Sequence, residues 1–196
     1  MTFSAYLALV RLSLSNPTAA TQMVQSLLNT ASARWLALAA VITSGAALGA
    51  LGEILFSLVT GIDLGPTASP VRLGLVQAGL MLYAAAALTI FGRQFGGQGN
   101  FAGAFAVIIW IQAILVGAQA VQVVVLTLFP VIGVLMTLTI FVLMIWLLIQ
   151  FTAALHGFTN MWLTGAGVLA VLFGSAVMLG SVFLSLGLTP PFMTES

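Results

Sequence analysis

The sequence predicts an all-α, polytopic membrane protein: five transmembrane helices preceded by short amphipathic interfacial helices. Three observations carry that expectation. Only seven of the 196 residues are charged, whereas a soluble domain carries about a quarter. Hydrophobic residues make up 62% of the chain. The uncharged stretches repeatedly reach the roughly 20 residues that a helix needs to cross about 30 Å of hydrocarbon. Six of the charges, Arg11, Arg34, Asp63, Arg72, Arg93 and Glu195, stand at the edges of those stretches. A charge at the bilayer centre is costly, so that is where charges belong. Glu53 alone lies within a stretch.

Residues 2–15 suit a short amphipathic helix. Phe3, Tyr6, Leu7, Val10 and Leu14 recur at helical spacing, and Ser4, Arg11, Ser13 and Ser15 supply a polar side. The segment is too short and too interrupted to span, which predicts an interfacial position. It has no basic region ahead of its apolar part, and Arg11 interrupts that part, so no cleavable secretory signal is expected. Asn16-Pro17-Thr18 breaks it, with Asn16 or Thr18 as the cap of a second amphipathic stretch at 18–29.

The first span is expected over about 33–59, with Trp35 at its entry as an interfacial aromatic. The turn-rich run from Gly61 to Thr67 ends it. Spans two and three are expected over about 71–91 and 101–128, separated by the loop Gly92 to Asn100. Pro130 marks a tight break before a fourth span at about 131–151. A polar island from His156 to Asn160 precedes the fifth span at about 162–188, which Pro190 and Pro191 close. Three regions follow: an N-terminal amphipathic segment at 1–30, a five-helix domain at 31–189 and a tail at 190–196. Arg11, Arg34 and Arg93 fall on one side of such a bundle and Arg72 on the other. Positive charge favours the cytoplasmic side, so the N-terminus is expected in the cytoplasm and the C-terminus outside.

Composition narrows the chemistry. There is no Cys, which excludes disulfides, thiolate metal sites and cysteine nucleophiles. With a net charge of +1 and no basic patch, no nucleic-acid partner is expected. Lys is absent and Arg supplies every positive charge, the habit of a GC-rich, bacterial genome. No paired carboxylates and no nucleophile with a base are found, so no catalytic residue, cofactor or metal is expected. His156 is the only histidine. It has no partners for a metal site or a triad, and its place at a membrane edge reads as interfacial.

The polar residues within spans admit two readings. Glu53 and Arg72 approach the same side of adjacent helices and suit a structural ion pair; the sharper reading is a protonatable or ion-binding site. Gln112 and Gln119 share a helical face, with Gln122 close by, and Gln77 and Gln150 add to the set. They read as interhelical hydrogen bonds or, alternatively, as a polar path. Gly45, Gly49 and Gly52, and again Ala170 and Gly174, form small-residue stripes that let helices approach, within the bundle or at a partner. The glycines at 96–99 lack the ending of a phosphate loop and read as a flexible turn.

Phe95-Gly96-Gly97-Gln98-Gly99-Asn100-Phe101 resembles the glycine-rich turn between the second and third spans of the Yip family of Rab-interacting membrane proteins. Trp146 through His156-Gly157-Phe158 looks like that family's fourth helix and His-Gly turn. Leu14 to Ala20 is similar to the entry of bacterial members. Gly96, Gly97, Gly99, Phe101, His156 and Gly157 carry the resemblance. Two features depart from it. The proline that many relatives carry early in the third span is absent, and Asp63-Leu64-Gly65-Pro66, which echoes an element of eukaryotic members, falls between spans one and two. The resemblance implies the fold and a non-enzymatic role in interaction or membrane organisation at the bacterial inner membrane. Its partners would be the lipid bilayer and a membrane protein or a second copy. The alternatives are a small transporter or channel using Glu53 and the glutamines, and an accessory subunit of a larger complex.

Overall fold

The computed structural model describes residues 2–61 and 70–185. Among them there are seven helices and no strand: α1 Phe3–Ser15, α2 Pro17–Leu27, α3 Ala31–Thr60, α4 Pro70–Gln94, α5 Phe101–Leu128, α6 Pro130–His156 and α7 Met161–Ser185. The five from α3 to α7 are long and apolar enough to cross a membrane, and the chain is a multi-pass membrane protein. Asp63, Glu195, the tail at 190–196 and the end of the fifth expected span lie outside the described residues.

Side chains and glycines set the helix ends. The Asn16 side chain accepts from the Ala19 N–H at 3.1 Å, with Pro17 in the first turn of α2. Asn100 accepts from the Gly103 N–H at 2.8 Å, and Asn160 accepts from the Trp162 and Leu163 N–H groups, both at 3.1 Å. Two helices outrun their expected limits. α4 continues to Gln94 and α6 to His156, so Gly92, Arg93 and residues 152–156 are helical rather than in loops. Nothing stops either helix earlier. The chain turns only at Gly96 (φ +83°) and Gly157 (φ +74°), where the left-handed conformation suits glycine.

α5 is the hub. Just over half of its membrane window (56%) is buried, against 6% for α3. One of its faces meets α3 and α4 through Ala104, Phe105, Ile108 and Ile109, which pack on Leu38, Met81, Ala85 and Leu88. Another meets α1, α2 and α6 through Val107, Trp110 and Ile114, which pack on Leu9, Val24, Leu147 and Phe151. Gly45 faces Val116 and Gly52 faces Val123, seven residues on in both helices, so α3 and α5 run parallel. Lipid offers little hydrophobic drive between helices, so this close, small-residue packing is what holds the bundle.

The two short helices do more than rest on a surface. α1 reaches α5 through its side chains. The Tyr6 hydroxyl donates to the Ala113 carbonyl at 3.0 Å, roughly 18 Å along α5 from Phe101 at 1.5 Å per residue. Trp110 Nε1–H donates to Ser13 Oγ at 2.9 Å, and Ser13 Oγ–H donates to the Leu9 carbonyl at 2.8 Å. The Arg34 guanidinium donates to the Leu28 carbonyl at 2.7 Å, closing the end of α2 over the start of α3.

Candidate functional site

His156, the last residue of α6, is 3% exposed. It is buried rather than interfacial, because three glycines leave room for its ring. A Cβ at Gly92 or Gly97 would strike the imidazole, and one at Gly99 would stand 2.6 Å from Cε1. The glycine run is therefore a fitted wall and not a flexible turn. The Gly97 N–H donates to the Gly92 carbonyl at 2.9 Å, and the Gln98 N–H to the His156 carbonyl at 3.4 Å. Phe158 stacks on the ring, with centroids 5.4 Å apart and planes at 16°.

The Gly99 N–H donates to Nδ1 at 3.2 Å. In the neutral ring the proton therefore sits on Nε2. Nε2 is buried and has no hydrogen-bond partner. One turn earlier on the same face of α6, the Thr152 hydroxyl is also buried and unpartnered. Of the six motif residues, Gly96 makes the turn, Gly97 and Gly99 wall the ring, and Gly157 ends the helix that carries it. Phe101 stands apart, exposed and stacked on Phe105 at 5.9 Å. No group of three metal-ligating side chains occurs among the described residues.

The other polar candidates do not converge. Glu53 is half-buried on α3 and Arg72 is exposed at the start of α4. Among the described residues no ion pair joins them. Gln122 Nε2 donates to Thr137 Oγ1 at 2.7 Å and to the Gly133 carbonyl at 3.3 Å, tying α5 to α6 beside Pro130. Gln112 and Gln119 are half-buried and join no such chain. The Gln77 amide lies near Gly45, and Gln150 borders a small cavity of about 290 Å³ with Pro17 and Thr18. Gly45 and Gly52 pack on α5, whereas Gly49 and Gly174 face open space.

Beside the His156 cradle, a groove of about 840 Å³ lies between α4, α6 and α7. Its walls are mostly apolar, with Ala84, Leu88, Leu148 and Val171 among them. Of the α7 stripe, Ala170 is on its wall and Gly174 is not. Thr152, Asn160 and Thr164 gather at the end nearest His156. Toward the other end, the Tyr83 and Ser175 hydroxyls share a hydrogen bond of 2.7 Å that crosses from α4 to α7. Sequence reasoning missed this groove. Its signal is the run Ala84 to Ala87 in span two and Gly165-Ala166-Gly167 in span five, which leave space that larger side chains would fill.

Compared with protein-family models, with curated proteins and with solved structures, the chain matches none.

Proposed function

We propose that this chain is a non-enzymatic, Yip-like protein of a bacterial inner membrane that organises the membrane or docks onto other proteins within it. The observation that carries the reading is where the open volume lies. The groove reaches neither Glu53 nor Gln112, Gln119 or Gln122, and its walls are apolar. A carrier of ions or polar solutes needs polar groups lining its path. The small transporter or channel built on Glu53 and the glutamines is therefore the weaker reading. The contact between Gly97, Gly99 and His156 supports the Yip-like one, because the two segments that carry the resemblance meet there. Arg34 and Arg93 stand at that same end of the bundle, which favours placing it in the cytoplasm.

Absence of native Cys makes single-cysteine variants clean reporters. Gly49→Cys and Gly174→Cys in native membranes, treated with a bifunctional maleimide, are expected to capture a second copy or another membrane protein. Proteoliposomes of the full chain are expected to show no ion or solute flux. An uncaptured monomer with a flux that Glu53→Gln abolishes would overturn the proposal in favour of transport.

A further inference from the structure

His156 is the one histidine of the chain, and its ring couples two turns that are far apart in sequence. The end of α6 carries the ring, and the α4–α5 turn encloses it. The Gly99 N–H donates to Nδ1 at 3.2 Å across 57 positions of chain. The Gln98 N–H reaches the His156 carbonyl at 3.4 Å. The imidazole packs directly against the backbone of Gly92, Gly97 and Gly99. This fit holds for one protonation state only. Nδ1 accepts here, and an accepting ring nitrogen carries no proton. A second proton would add to Nδ1, the nitrogen that already faces the Gly99 N–H. Two N–H groups would then oppose each other at hydrogen-bond distance. The other ring nitrogen, Nε2, has no acceptor for its proton either.

Nothing around the ring offsets a positive charge. α2, α5, the described part of α7, the rest of α6 and the turns at 95–100 and 157–160 carry no charged side chain. On α4, Arg93 stands beside Gly92 and brings a further cation, while Arg72 and Tyr83 lie farther down the helix. Glu53 is the one carboxylate among the described residues, and it lies toward the other end of α3 from Arg34. Phe158 stacks on the imidazole, and a ring face attracts a cation, but it supplies an acceptor to neither nitrogen. A buried charge without such partners either loses its proton or moves to water. Water is close, because Gln98 and Gly157 beside the cradle are exposed.

We propose that His156 and its glycine cradle form a proton-operated latch, closed on the neutral imidazole and opened when the ring takes a second proton. Opening parts the α4–α5 turn from the end of α6. The helices stay in place, since the two core clusters that pack them do not include the ring. The open state binds one proton more than the closed one. The latch is therefore complete above the ordinary imidazole range, about 6.5, and is lost as pH falls below it. It rests on the ring and its cradle and not on the organising role, so either can fail without the other. The test uses the full chain in lipid nanodiscs, with spin labels on Gln98→Cys and Thr159→Cys. Both positions are exposed, and no native Cys competes. Isotope-labelled histidine reports the imidazole by NMR in the chain without spin labels. At about pH 8 the ring should be the neutral tautomer protonated at Nε2, with one short, narrow label distance. Toward about pH 5 the ring should charge, and the distance should lengthen by several ångströms with the same midpoint. His156→Asn keeps an acceptor without a titrating group and should hold the short distance throughout. If that variant does not fold, coincidence of the two midpoints in the native ring decides. Three outcomes would overturn the proposal. One is a ring that charges while the distance stays. Another is a ring and a distance both unchanged down to about pH 5. The third is a lengthening that persists in His156→Asn or departs from the midpoint of the ring.

Discussion

A methyl group at Gly97 has nowhere to go. The ring of His156 occupies the space, and the Gly92 carbonyl closes the other side. Overpacking of this kind typically costs about 1–3 kcal/mol. For a chain of 196 residues, each kcal/mol corresponds to about 2–4 °C in melting temperature. Gly97→Ala is therefore expected to lower the thermal midpoint in mild detergent by several degrees, read by tryptophan fluorescence. The cause is specific, so it can be isolated. In a His156→Ala background the clash with the ring is gone and only the contact with the Gly92 carbonyl remains, so the two changes should couple by about 0.5–3 kcal/mol in a double-mutant cycle. Simple additivity would show that the glycine is needed for its backbone alone. Gly96 serves as the contrast, because it sits at φ +83° with nothing near its Cβ position. Gly96→Ala should be costly in either background, since the strain lies in the backbone and not in the ring.

At the scale of the element, α1 shows how one hydrogen-bonded hydroxyl can fix a helix. Ser13 is fully buried and accepts from Trp110 Nε1–H while donating to the Leu9 carbonyl. Ser13→Ala leaves the indole N–H buried without an acceptor, at a cost of about 1–3 kcal/mol. The expected result is a lower thermal midpoint and faster protease cleavage within α1. An unchanged midpoint would mean that water reaches the indole. Trp110→Phe in the same background removes the orphaned donor and should recover part of the loss. Such a partnership was not legible in the sequence, because it joins residues 97 positions apart. What was legible was local. Length and apolarity located all five long helices, and α5 kept its expected limits of 101 and 128 because Asn100 and Pro130 punctuate both ends. α4 and α6 ran on because no breaker stands at Phe91 or Phe151. Their stops are glycines at 96 and 157 that a polar-loop reading had already absorbed. The same holds for the site. The glycine run and His156 were both visible, but hydropathy cannot show that the ring fills the space the missing side chains leave. Nor can it show that Thr152, an ordinary residue at the end of an apolar run, is left without a partner.

For the molecule as a whole, the odd number of spans turns a few positive charges into a topological statement. The α4–α5 turn and the α6–α7 turn share one end of the bundle, joined by the His156 contact. The α5–α6 turn at Phe129 lies a helix length away, at the opposite end. If Arg34 and Arg93 hold the first end in the cytoplasm, reactivity from the two sides must differ. Gln98 and Phe129 are both exposed, and the sequence has no Cys to confuse the signal. In right-side-out membrane vesicles, a membrane-impermeant maleimide is expected to label Phe129→Cys nearly completely. It should leave Gln98→Cys untouched until the vesicles are opened. The reverse pattern would invert the orientation and carry the His156 cradle to the outer side. Labelling of both positions from outside would break the five-span topology itself. An even number of crossings between them would then be needed, which a single uninterrupted α5 cannot supply.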